Sequence, residues 1–184
     1  NVLNDKGLGR VVDILDGVTY AINKNVDILC MSLGVNRRLP QILEERIKKA
    51  VKKGIIVVCA TGNNGIQNVA YPASYDFVIG VGGVNKKLER ANFSNYGFEV
   101  DVVAPSVDIL STWSDGRYAY MSGTSTASPL VAGGIALIKS YYRNQGIEIT
   151  LNQIKEMISK LNTDRDRYIG YGLFDVAKLI GLEK

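Results

Sequence analysis

Over the first half of the chain, segments whose apolar residues recur at helical spacing alternate with short runs that are apolar throughout. No other feature of the sequence constrains the fold as tightly. Val11, Ile14, Leu15, Val18, Ala21 and Ile22 share one face of a helix expected from about residue 10 to residue 24. Ile28 to Met31, bounded by Asp27 and by Ser32-Leu33-Gly34, reads as a strand buried on both faces. Pro40 opens a second helix with the stripe Ile42, Leu43, Ile47, Ala50 and Val51. Its Glu44 and Glu45 come early and its Lys52 and Lys53 late, which suits the helix dipole, and Gly54 can take the left-handed conformation just past the end. Residues 55 to 60 and 77 to 84 supply further buried strands. Helix and strand in this rhythm predict parallel strands with right-handed crossovers, and ligands in such sheets sit at the carboxyl ends of the strands. Ser32-Leu33-Gly34 and Thr61-Gly62-Asn63-Asn64-Gly65 both fall there.

Beyond residue 84 the segments 100 to 105, 109 to 113 and 118 to 121 are short and β-like, with Ser114-Asp115-Gly116-Arg117 as a hairpin loop. A segment from Ser125 to about Tyr141 carries no charge before Lys139, so it reads as a buried helix whose small residues allow close packing. Thr150 with Gln153 forms a capping-box pattern ahead of Leu151, Ile154, Ile158 and Leu161. With 46% hydrophobic residues, 22% charged and no repeat or linker, residues 1–184 are expected to form one α/β domain with a mainly parallel sheet flanked by helices.

Composition excludes several functions. The net charge of +4 is small and its lysine pairs at 48/49, 52/53 and 86/87 are dispersed, which argues against a nucleic-acid partner. No apolar run is long enough to span a bilayer and no signal segment opens the chain, so no membrane partner is expected. Cys30 and Cys59 lie in apolar runs, where a free thiol packs as a small hydrophobe, and two unpaired thiols suit a reducing compartment. The sequence contains no histidine, so it can complete neither an imidazole-based triad nor a His-ligated metal site.

Chemistry is most legible at Met121-Ser122-Gly123-Thr124-Ser125-Thr126-Ala127-Ser128-Pro129, between a strand and the buried helix. A serine at a helix N-terminus gains from the dipole and from free backbone N–H groups when negative charge develops beside it. Read alone, Thr124-Ser125 serves equally as a helix N-cap, and Asn63 in Gly-Asn-Asn-Gly as a turn residue.

Gly123-Thr124-Ser125-Thr126-Ala127-Ser128-Pro129 with Val131-Ala132-Gly133 resembles the nucleophile segment of the subtilisin-like serine proteases. So do, in that family's order, Asp27-Ile-Leu-Cys-Met-Ser-Leu-Gly34, Val57-Val-Cys-Ala-Thr-Gly-Asn63, Tyr71-Pro72-Ala73, Phe93-Ser94-Asn95-Tyr96-Gly97, Asp101-Val-Val-Ala-Pro105 and Gly170-Tyr171-Gly172. The resemblance implies that Ser125 attacks the scissile carbonyl, that Asn63 and the Ser125 N–H donate to the oxyanion, and that Thr124 adds its hydroxyl to the same oxygen. It implies that Gly7-Leu8-Gly9 and Ser32-Leu33-Gly34 hold a substrate peptide between them as an added strand, and that Ala60, Thr61, Gly62 and Ala70 line an uncharged pocket for the residue before the scissile bond. No cofactor is required for that chemistry. The carbonyls of Ala73, Tyr75 and Val78 with the Asp101 carboxylate resemble a family site for calcium or a monovalent cation, although Asp101 reads equally as a salt-bridged carboxylate.

One departure is informative. In the family the triad runs Asp, His, Ser, and the first two would precede Asn1. The chain is therefore expected to be the C-terminal two-thirds of the catalytic domain, with the Asp and His supplied by an N-terminal partner segment and a sheet edge left exposed. Leu130 replaces a histidine of many relatives that is not the triad base. A serine endopeptidase acting on peptides or proteins is the implied activity, and a catalytically silent peptide-binding remnant the alternative. Similarity around Cys59 and after Leu137 leans to the intracellular branch, hence to the cytoplasm.

Overall fold

The computed structural model describes residues 1–182, apart from the side chain of residue 115. In chain order, helix α1 (Val11–Asn23), strand β1 (Ile28–Met31), helix α2 (Gln41–Lys52) and strands β2 (Ile56–Ala60), β3 (Ile79–Val84) and β4 (Val102–Pro105) come first. Strands β5 (Ile109–Thr112) and β6 (Tyr118–Met121) and helices α3 (Thr124–Arg143), α4 (Leu151–Ser159) and α5 (Val176–Leu179) follow. The four strands β1-β2-β3-β4 lie side by side in that order and every pair is parallel. β5 and β6 form a separate antiparallel hairpin closed by Trp113 N–H donating to Arg117 O at 2.7 Å.

Alternation along β2 shows how the layers form. Val57 and Cys59 pack with Val18 and Ile22 of α1 and Leu43, Ile47 and Ala50 of α2, whereas Ile56 and Val58 pack with Val131, Ile135 and Ile138 of α3. All five β2 residues are buried, as a strand covered on both faces requires. The uncharged segment forms helix α3, but it is not buried on all sides: Val131, Ile135 and Ile138 pack on the sheet while Leu130 and Leu137 are exposed, because only one face of the helix meets the strands. The Thr150–Gln153 capping box forms with both reciprocal bonds. Lys139 is itself buried at 5% exposure, held by Glu148, while Arg143 reaches Asp27 at 2.6 Å and ties the end of α3 to the start of β1.

Two expectations fail at β1. Only Met31 is buried there, Ile28 and Leu29 are partly covered, and Cys30 is exposed rather than packed as a small hydrophobe. The physical reason is position: among the described residues β1 lies at the sheet edge and pairs with β2 alone, so its side chains are covered from fewer directions. Cys59, in the interior strand, is fully buried, and burial pushes its thiol pKa well up.

Candidate active site

Strand β6 delivers the chain to the N-terminus of α3 through Ser122 and Gly123. Gly123 adopts φ 155°, and a Cβ there would lie 3.2 Å from Asn63 Nδ2, so glycine keeps that amide accessible. Thr124 and Ser125 are the first two residues of α3, where N–H groups have no partner within the helix and the dipole is positive. The half-buried Ser125 donates its hydroxyl to Ser32 O at 3.3 Å. Ser32 Oγ in turn donates to Ser125 O at 3.1 Å and lies 2.9 Å from Ser128 Oγ, so the end of β1 and the start of α3 are latched reciprocally. A backbone carbonyl is no base, and this partner leaves the hydroxyl neutral.

Asn63 sits in the loop that leaves β2. Its Oδ1 accepts from Thr124 N–H at 2.8 Å and from the Thr124 hydroxyl at 2.9 Å. Those two bonds fix which way the amide faces and leave Nδ2 as a donor for something else. They also bear on the hydroxyl that the resemblance adds to the oxyanion. The Thr124 hydroxyl proton goes to Asn63 Oδ1, while its oxygen accepts from Gly62 N–H at 3.2 Å. Thr124 is fully buried and holds the Asn63 amide in place.

Asn95 holds this loop from behind, a role that motif reading did not identify. Fully buried, it donates its backbone N–H to Gly62 O at 3.0 Å and accepts on Oδ1 from Asn64 N–H at 2.9 Å, bracketing Asn63 on both sides. Its Nδ2 donates to Asn68 O at 2.9 Å. Gly62, at φ 102°, would place a Cβ 2.5 Å from that same Nδ2; the glycine and the family-like block around Asn95 are the marks of this contact in the sequence.

Ser125, Thr124, Asn63, Gly62, Ala60 and Ala70 line one cleft of about 320 Å³ together with Ser32, Leu33 and Gly34. Asn36, Asn64 and Val35 also line it, and the Asn36 Nδ2 donates to Asn64 Oδ1 at 3.0 Å. Thr61, expected in the pocket wall, is fully buried instead, its hydroxyl without a hydrogen-bond partner; its carbonyl and N–H bind Ala70 and Val81. Gly7, Leu8 and Gly9 face Ser32, Leu33 and Gly34 across an adjoining depression of about 200 Å³. A Cβ at Gly9 would lie 2.6 Å from Val2 O, so only glycine lets this strip run so close to the chain behind it.

The resemblance-derived cation donors are in a different state. Asp101 Oδ2 accepts from Gly80 N–H at 2.8 Å, Lys155 Nζ lies 3.3 and 3.2 Å from the two carboxylate oxygens, and Arg165 is 3.5 Å away. Tyr75 O accepts from Val78 N–H at 3.4 Å. As arranged, this donor set does not fit a metal ion, since the carboxylate is already met by two cationic side chains.

The sequence model of the subtilase family of S8 peptidases matches residues 1–172. The chain belongs to the subtilase family. Among curated subtilases it is 46% identical over 172 residues to a thermophilic serine proteinase of Bacillus sp. (strain AK1), covering 92% of this chain and 41% of that protein. It is 45% identical over 142 residues to the major intracellular serine protease of Bacillus subtilis (strain 168), covering 74% of this chain and 44% of that one. The chain thus spans less than half the length of either relative. Among solved structures, the prenylagaramide maturation protease PagA superposes with a TM-score of 0.89 at 24% identity, over 97% of this chain and 69% of its own, which shows the shared fold.

Proposed function

We propose that this subtilase chain is the nucleophile-bearing part of a serine endopeptidase, acting through an acyl-enzyme on Ser125 once a base is supplied from outside residues 1–184. The observation that carries the reading is the Asn63 amide, held by Thr124 beside Ser125 at the N-terminus of α3. As Ser125 Oγ adds to a peptide carbonyl, negative charge grows on the carbonyl oxygen. Asn63 Nδ2 and the Ser125 N–H are the fixed donors for it, and the helix dipole adds to both. The proton now shared with Ser32 O must leave for an imidazole, and the triad Asp and His come from a partner N-terminal segment.

Support for such a segment lies in what is left uncovered. β1 has a free edge, Cys30 is exposed beside it, and Leu130 and Leu137 of α3 are 46% and 65% exposed. The substrate is a peptide laid between residues 7–9 and 32–34, with an uncharged side chain directed at Ala60, Gly62 and Ala70. A relative named as an intracellular protease and two free thiols support a reducing compartment. The second reading, a silent peptide-binding remnant, draws on the Ser125 hydroxyl resting on a carbonyl that cannot activate it.

Refolding the chain with an N-terminal polypeptide of a relative that carries the Asp and His segments separates the two. Hydrolysis of a short apolar peptide that appears only in the mixture and vanishes with Ser125→Ala supports the endopeptidase. Peptide binding without any turnover in an associated complex supports the remnant. The chain by itself is expected to stay below about 1 s⁻¹, since only oxyanion and binding contributions remain.

A further inference from the structure

We propose that Lys155 is the resident cation of the Asp101 locus, so that a tethered ammonium does there what the family resemblance would assign to a metal ion, and the locus takes up neither calcium nor a monovalent ion. This inference is independent of the catalytic reading.

Asp101 stands just before β4 and is only 6% exposed, so its charge must be matched by nearby groups. One match is the Gly80 N–H at 2.8 Å. The principal one is Lys155, which enters from α4. Its Nζ reaches both carboxylate oxygens, at 3.3 and 3.2 Å, and the carbonyl of Asp76 at 2.9 Å. An ammonium has three protons and no acceptor, so these three oxygens use it completely. Arg165 adds a second positive charge, its Nη2 3.5 Å from Asp101 Oδ1 and donating to Val100 O at 3.1 Å, with its guanidinium 5.0 Å from the Tyr171 ring centre.

Oxygen donors from a carboxylate and a loop carbonyl gathered on one positive point are what a hard cation seeks. Here that point is the end of a side chain, and ordering it requires no ion to be drawn from solution. A metal ion entering the same oxygens would have to expel Lys155 and then stand beside Arg165. Asp76 and Glu99, the other carboxylates around the hollow of about 350 Å³ at this place, are exposed. The ammonium joins α4 to the loop at Asp76 and to the sheet at Asp101, contacts 79 and 54 residues apart in sequence.

Thermal unfolding of the 184-residue chain, with and without chelator and with about 10 mM calcium chloride against choline chloride at equal ionic strength, tests this. The wild type is expected to show the same Tm throughout. Lys155→Met is expected to lose roughly 5–10 °C and to regain about 3 °C or more in calcium, because the vacated oxygens become a cation site. A wild-type Tm that climbs with calcium, or a Lys155→Met variant that neither loses stability nor answers to calcium, overturns the proposal. Should Lys155→Met fail to fold, Lys155→Arg decides. Its Tm is expected near the wild-type value with no calcium response, and a calcium-dependent Tm in that variant overturns the proposal as well.

Discussion

The carboxamide oxygen of Asn63 accepts both the backbone N–H of Thr124, at 2.8 Å, and its hydroxyl, at 2.9 Å, across 61 residues of sequence. With both lone-pair directions taken, the amide cannot flip without losing two bonds, and its N–H groups stay on the cleft side. Asn63→Ala in the reconstituted enzyme should therefore lower kcat by roughly 10²–10³ with little change in KM, a loss already known for the equivalent asparagine of a subtilisin and carried over here. Thr124→Val, which removes one of the two restraining bonds, should cost kcat about tenfold. Steady-state kinetics on a short apolar peptide check both, and a raised KM with unchanged kcat would make Asn63 a substrate-positioning residue.

Asn95 restrains the backbone on either side of Asn63, and its removal leaves the Asn64 N–H and the Asn68 carbonyl without their partner. Asn95→Ala should destabilise the chain by about 1–3 kcal/mol in urea unfolding. In the reconstituted enzyme kcat should fall while KM moves little, because the loop carries Asn63, the oxyanion donor proposed above. Loss of stability with kcat intact would reduce Asn95 to a loop anchor.

Cys30 is exposed and Cys59 fully buried with its thiol pKa pushed up by burial. In the native protein an aromatic disulfide reagent should titrate one thiol within minutes, and the second only after denaturant is added. The thiolate fraction and access of Cys59 are both low. Two fast thiols would mean that β2 opens readily.

Glu44 is 6% exposed and is held by Arg38, Lys48 and the Tyr75 hydroxyl, which lower its pKa from 4.5 to about 2. A carboxylate whose folded pKa is depressed contributes stability that is present above its unfolded pKa and lost as the pH falls through its folded one. Wild-type stability should therefore decline between about pH 4.5 and pH 2. Glu44→Gln should be less stable at neutral pH and show a flatter decline, measured by urea unfolding across that window. Identical pH profiles would remove Glu44 from the account.

Sequence periodicity alone determined the layers. The helical stripes around Val18 and Ile47 and the continuous run Ile56–Ala60 state which faces are apolar, and that is enough to place a parallel sheet between helices. The start of a helix at Thr124-Ser125 and the capping box were also legible, because each is a local pattern in which neighbours in sequence are neighbours in space. What only the tertiary structure decided are the meetings between distant segments. Ser125 meets Ser32 across 93 residues, and Asn63 meets Thr124 across 61. Parallel register sets these meetings, with Met31 beside Cys59 and Ala60 beside Val81, so that the loops after β1 and β2 emerge at the same end of the sheet as the start of α3. The exposure of Cys30, the use of the Thr124 proton and the capture of Asp101 by Lys155 have the same origin. A hydrogen bond or a covering side chain depends on which chain segment arrives at a given point in space, and a one-dimensional pattern records only what each segment brings.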